Sequence, residues 1–262
     1  MKRFPIFALT ISILLIIACV IPGMAVPTPT PVPTGTPEPT FTPLPTETPT
    51  LVPTSTPDKT ATAIVRATET ASNVLDELDR VLGDTDIPYE QGHLAWQQAK
   101  PMSVTLHGPS ADYVEIDKDL TAGNFILKSD VTWNATGLLL CGAIFRSEPN
   151  LEDGKQYQFV FMRFSGLPAW AIEVHEYGRF KNSPSKVQFS AAIDQGNDAT
   201  NQFILIAQDE QFNLYLNKAS QGRYFDYSKQ RMDGSFALLA LQESGDGSCE
   251  FQNSWLWSLD EE

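Results

Sequence analysis

The sequence predicts an all-β fold: a two-sheet antiparallel jelly-roll sandwich preceded by a signal or anchor segment, a Pro/Thr stalk and a short helix. Three observations point there. From about Asp84 the apolar residues recur with a period of two, turn-forming clusters punctuate the runs at regular intervals, and no long helical stretch lies among them. Ten or so short strands in such an order pair into facing sheets. A domain of about 180 residues fits a jelly roll better than the smaller immunoglobulin type.

The N-terminus, residues 1–25, starts Met1-Lys2-Arg3 and continues as an apolar run from Phe4 to Val20. Two charges before such a run are the layout of an export signal. Two endings fit it. Ile16-Ile17-Ala18-Cys19 resembles a lipobox, which implies a lipid on Cys19 and cleavage before it. Gly23-Met24-Ala25 instead offers small residues to ordinary signal peptidase. An uncleaved anchor is the third option, and all three put the remainder outside the cytoplasm. The only membrane contact expected is through this anchor.

Residues 26–57 are Pro-Thr repeats, with eleven prolines and eleven threonines between Pro27 and Pro57. Proline fixes φ and donates no hydrogen bond, and it pushes its predecessor into extended geometry. The tract is therefore expected as a polyproline-II-like spacer, about 100 Å long at full reach. Residues 58–83 change character. Ile64, Ala67, Ala71, Val74, Leu78 and Val81 fall on one helical face, with Asp58 or Thr60 to cap the start and Gly83 just past the end. That face is expected to pack on the following domain, with self-association as a short coiled coil the alternative.

Residues 84–262 hold the strands. In Asn124–Trp133, Phe125, Leu127, Val131 and Trp133 share a face with Ser129, while Lys128, Asp130 and Thr132 point the other way. Leu138–Arg146, Gln156–Phe164, Trp170–His175, Val187–Ile193, Gln202–Gln208, Gln211–Asn217 and Ser235–Gln242 also read as strands. The chain ends with Cys249, Phe251, Trp255, Trp257 and Leu259, whose odd numbering puts them on one face of an extended strand. Trp133, Trp255 and Trp257 are assigned to the core.

The segments Asn124–Trp133, Cys141–Arg146, Tyr157–Phe161, Phe212–Asn217 and Cys249–Trp257 together resemble the concanavalin A-like lectin/glucanase superfamily. The nearest flavour is a laminin-G-like or glycoside-hydrolase-16-like domain of exported bacterial proteins. The resemblance covers about Asp84 to Leu259 and rests mostly on structural positions. It implies two curved, facing sheets and, in its enzymatic branch, a Glu-x-Asp-x-Glu strand. Three carboxylates would then share one face, roughly 7 Å apart, as retaining hydrolysis requires. This chain offers only Glu115-Ile116-Asp117-Lys118-Asp119 and Glu173-Val174-His175-Glu176. The first lacks the last glutamate and the second breaks the alternation, so both read as solvated strand faces. His93, His107 and His175 lie in unrelated settings and read as structural.

Charge narrows the partners. Eighteen Lys+Arg against 32 Asp+Glu give a net charge of −14, which disfavours nucleic acid and anionic lipid surfaces. Beyond Cys19 the only thiols are Cys141 and Cys249, an even pair in an exported chain and hence a disulfide candidate; bonding them requires their strands to be neighbours. The loop Asp194–Asn201 carries oxygen donors of the kind calcium accepts. Its spacing is not that of an EF-hand, and such clusters are ordinary turn chemistry, so no cofactor is expected.

The function expected is non-catalytic recognition of a glycan or another envelope polymer. A sugar ring has an apolar face for aromatic side chains and hydroxyls for polar ones. Arg146, Tyr157, Arg163, Trp170 and Glu173 are the residues expected to line such a site. A structural or protein-interaction domain of the envelope, and a hydrolase with an atypical carboxylate pair, are the alternatives.

Overall fold

The computed structural model describes residues 59–164 and 166–260, with residues 59–66 and 163–164 by backbone alone. The expected export signal, Cys19 and the Pro/Thr tract lie outside the described residues.

Helix α1 (Lys59–Leu82) comes first and ends where the Gly83 amide bonds back to the Asp79 carbonyl at 2.9 Å. No described helix is long and apolar enough to cross a membrane. A 3-10 turn at Tyr89–Gln91 leads into the strands. These are β1 (His93–Gln97), β2 (Met102–His107), β3 (Ser110–Glu115), β4 (Phe125–Ala135), β5 (Leu139–Ser147), β6 (Gln156–Phe164) and β7 (Leu167–Glu176). Then follow β8 (Arg179–Asn182), β9 (Gln188–Phe189), β10 (Thr200–Gln208), β11 (Gln211–Leu216), β12 (Ala219–Phe225), β13 (Ser235–Gln242) and β14 (Asp246–Ser258).

They form two antiparallel sheets. The first runs β1-β14-β4-β10-β11-β12, with β2 also on β14; the second runs β3-β13-β5-β6-β7-β8, with β9 also on β7. Inward residues of both sheets meet in one core, the expected sandwich. Aromatic rings fill much of it, for instance Phe125 edge-on to Phe236 at 4.8 Å and Phe159 against Phe203 at 5.1 Å. The odd residues of β4 face inward as expected, and Ile126 and Lys128 face out.

Helix α1 packs on the outer face of the first sheet. Val74, Leu78 and Leu82, spaced by four, meet Ile126, Ile204, Ile206, Trp255 and Trp257. Those two tryptophans correct the expectation for the last strand. At Asn253, whose φ is 50°, β14 bulges: Phe251 and Gln252 pair with Val131 and Asp130, but Trp255 pairs with Lys128. One residue of β4 thus faces two of β14, and the alternation reverses. Cys249 and Phe251 point into the core, whereas Trp255 and Trp257 point outward beneath the helix. Asparagine tolerates the left-handed conformation, and the bulge is tied down by Asn253 Nδ2 to Asp130 Oδ2 (3.0 Å) and Lys128 Nζ to the Asn253 carbonyl (3.1 Å).

Two further expectations change. The run Val187–Ile193 contributes only β9, because Ser190 folds it into a turn: its hydroxyl takes the Ala192 amide and its carbonyl the Ile193 amide. The disulfide between Cys141 and Cys249 is present, with Cα atoms 5.9 Å apart. Its strands are not neighbours within a sheet, however. Cys141 faces inward from β5 and Cys249 from β14, so the bond crosses the core from one sheet to the other.

Closing a loop over a sequence separation of 108 residues stabilises by about 4–5 kcal/mol in the chain-entropy model. Replacing both cysteines by serine is expected to lower the unfolding free energy by roughly that amount. Denaturant titration with the far-ultraviolet β signature retained in the native baseline checks this; an unchanged midpoint would contradict it.

Candidate functional site

Because α1 occupies the outer face of the first sheet, the outer face of the second is where side chains meet solvent over a continuous sheet surface. The strand registers define its rows. Glu115, Ala237, Ile144, Gln158 and Glu173 run side by side across β3, β13, β5, β6 and β7. Gln156 stands beside His175, and His175 beside Phe180 of β8. Apolar residues make the floor, with Ile144, Leu151, Val160, Ala171 and Leu239 packed as one cluster and Tyr113 against it.

Above this floor lies a groove of about 300 Å³, bordered by Tyr113, Glu152, Gln156, Gln158 and His175. His175 Nε2 donates to Glu173 Oε2 at 2.9 Å. Phe180 meets the His175 ring edge-on at 6.0 Å and is 57% exposed. It is delivered by the tight turn between β7 and β8, where Tyr177 and Gly178 both have positive φ (53° and 63°). Two successive left-handed residues match the twist of the flanking strands, and glycine takes that conformation without strain. Ser147 Oγ donates to Gln156 Oε1 at 2.9 Å and fixes that amide. Gln158 is only 7% exposed, and its Oε1 has no hydrogen-bond partner among the described residues. A buried carboxamide oxygen left unbonded costs about 1–3 kcal/mol.

Of the residues expected to line a site, Glu173 alone has a described side chain on this face. The side chain of Arg163 lies outside the described residues. Arg146, Tyr157 and Trp170 are interior, exposed by 0%, 1% and 1%. For Arg146 the reason is a second bulge: Ser235 pairs with Ser147 but Ala237 with Ile144, and Arg146 takes φ 47°. The guanidinium turns into the end of the core, where Nε donates to the Gly123 carbonyl (2.8 Å) and Nη1 to that of Asp209 (2.6 Å), above the ring of Phe212. Burial lowers its pKa, against the fields of Tyr157, Asp260, Asp209 and Asp233. Tyr157 stacks on Phe145 at 5.3 Å, and Trp170 packs edge-on to Tyr224 at 5.2 Å. The surface of these aromatics is spent on core packing.

The Tyr157 hydroxyl donates to Asp226 Oδ2 at 2.6 Å. Burial first, and then the bond to Asp226, raise the phenol pKa well above its ordinary value. Burial alone would raise the Asp226 carboxyl as well. Hydrogen bonds from the Ser228 and Tyr157 hydroxyls and from the Gln230 and Ser228 amides outweigh it, and the carboxyl is held below the usual range.

The remaining candidates separate. Glu115 ends β3, and Asp117 Oδ1 accepts the Asp119 amide in the following turn, so the three carboxylates do not share a strand face. Glu115 and Glu173 do share a row, but four strand spacings separate their backbones, roughly 19 Å. A hydrolytic pair needs about 5–10 Å between carboxyl groups. In the Asp194–Asn201 loop, Asp194 Oδ1 accepts the Gly196 amide, Asn201 Oδ1 the Asp194 amide and Asp198 Oδ1 the Asn134 amide group. No trio of His, Cys, Asp or Glu is placed to hold a metal among the described residues. His107 forms an exposed pair with Asp246 at 3.1 Å.

No family model and no curated sequence matches the chain. Solved structures do match, and their likeness is one of fold. A carbohydrate-binding module of class 66 from Bacillus subtilis is 16% identical, with a TM-score of 0.42, over 60% of this chain and 95% of that one. A Bacillus licheniformis beta-glucanase is 10% identical (TM-score 0.42; 61% of this chain, 79% of that one). An alginate lyase from Pseudomonas aeruginosa is 10% identical (TM-score 0.41; 64% and 87%). Likeness this distant assigns no activity.

The hydrogen bonds that hold the Asp226 carboxyl below its usual range make stability depend on pH. A carboxyl with a lowered folded-state pKa contributes stability that is fully present above its unfolded value, about 4, and is lost as the pH falls through the folded one. Stability is therefore expected to decline below about pH 4, and Asp226→Asn to flatten that decline. Urea titrations from neutral to acid pH measure it; an equally steep decline in the variant would contradict the assignment.

Proposed function

We propose that the chain is a non-catalytic, extracellular binding module that holds a glycan across the outer face of its second sheet. The observation that carries this reading is an exposed aromatic beside polar side chains over an apolar floor: Phe180, 57% exposed, next to His175 and Glu173, with Gln158 bordering the same groove. A pyranose can lay its C–H face on the ring while its hydroxyls bond to the carboxamide and carboxylate groups. Mostly apolar walls with a few convergent polar groups are the usual make-up of small-ligand sites.

Export is part of the same proposal. The disulfide belongs to an oxidising compartment, and it agrees with the leader and the Pro/Thr tract. Lipidation at Cys19, or cleavage after Ala25, would decide whether the stalk is anchored or free.

One observation supports a second reading. Glu173 and His175 lie 2.9 Å apart at the groove, and such a pair can move a proton. A catalyst would turn over oligosaccharides and lose that activity in Glu173→Gln; a binding module would show no turnover.

Affinity for an oligosaccharide identified on a glycan array should fall about tenfold in Phe180→Ala and in Glu173→Gln, near 1.4 kcal/mol each. Unchanged circular dichroism would show both variants folded. A silent array, or affinity unmoved by either change, would refute the reading.

A further inference from the structure

The chemistry of the groove restricts its ligand, and this inference rests on the glycan-binding reading above. Three carboxylates stand on this face: Glu152 borders the groove itself, and Glu115 and Glu173 occupy the two ends of one row across the sheet. The phenol of Tyr113 registers their presence: burial raises its pKa first, and the fields of Glu152, Glu115 and Asp112 add to the rise. No lysine or arginine borders the groove among the described residues. Arg179 stands opposite Glu176, on the reverse face from His175 and Phe180, and Lys181 is taken up by Glu176 at 3.1 Å. Among the described residues His175 is the one titratable base on the groove, so three carboxylates leave the face negative even with its ring protonated. Its short polar contact is with Glu173.

The balance of hydrogen-bonding groups runs the same way. Ionised carboxylates only accept. The side chains of Glu115 and Glu152 have no hydrogen-bond partner among the described residues, and the buried Gln158 Oε1 has none either. Tyr113 and Phe180 present rings at two borders of this negative field. A ring face beside carboxylates attracts a cation. The geometry points to an amino sugar with a free ammonium group as the ligand, carried on a polymer of glucosamine type. Its ammonium supplies three donors where the groove supplies acceptors, and its ring supplies an apolar face. Acetylating the nitrogen removes the charge and leaves one donor. A uronate brings a second anion into a negative groove and is repelled.

The test is calorimetric titration of the intact exported chain with three hexamers: fully deacetylated glucosamine, its N-acetylated counterpart, and a uronate. The deacetylated hexamer is used in buffer acidic enough to protonate its amines. At low salt it should bind about fivefold tighter than the acetylated one, as expected for a few partly screened charges. That margin should shrink at high salt, and the uronate should not bind. Glu115→Gln with Glu152→Gln should erase the margin between the deacetylated and the acetylated hexamer. Equal or tighter binding of the acetylated hexamer or the uronate would overturn the inference and leave the glycan-binding reading standing. No binding of any hexamer would overturn the inference alone, since the array tests the wider reading; binding untouched by Phe180→Ala would overturn both.

Discussion

At Asn253 the backbone takes a left-handed turn and β14 gains one residue over β4. Much of the molecule follows from that step. A strand sends alternate side chains to opposite faces, so an inserted residue exchanges the faces for everything beyond it. Here it moves Trp255 and Trp257 out of the core, where Cys249 and Phe251 lie, and puts them beneath α1. Their indole N–H groups then find partners outside the sandwich: Glu77 Oε2 of the helix at 3.2 Å, and the Tyr89 carbonyl at 2.9 Å. The helix gains a floor, and the first sheet receives its cover. The second sheet keeps an open face, and the groove is there.

The period-two pattern makes the sandwich legible in the sequence, because central strands such as β4, β6 and β10 are nearly all apolar on their inward side. The helical stripe was legible too: Ala71, Val74, Leu78 and Val81 all pack toward the sheet, although the last turn buries Leu82, which lay outside the stripe, more deeply than Val81. Edge strands were harder. Ala219–Phe225 is mostly polar and exposed, and Arg179–Asn182 is fully exposed, so neither carries an alternation that a reader could detect. The faces failed at two bulges. These two sit at residues with positive φ, Arg146 and Asn253, and nothing in an arginine announces such a conformation.

The site was less legible than the fold. Size and aromaticity drew attention to Tyr157 and Trp170, yet those same qualities suit a residue to fill a core. The signal that leads to the groove is quieter: the polar residues Gln156, Gln158, Glu173 and His175 at outward positions of central strands, on a sheet with no helix in sequence to cover it. Tyr113 and Phe180 lie on strands too short or too polar to have been placed on a face. Arg146 has its own task at the core's end, where it ties two loop carbonyls together in the company of Tyr157 and Asp226.

The bond between Cys141 and Cys249 also has a mechanical meaning. A pull arriving along α1 enters the first sheet through the helix's contacts with Trp255 and Trp257. The same strand, β14, carries Cys249, and the covalent link hands the force to β5, one strand away from the β6 residues that border the groove. Between the sheets, such a load passes through a covalent bond as well as through the packed hydrocarbon layer. The sandwich is reinforced along the line where shear would otherwise part its two halves.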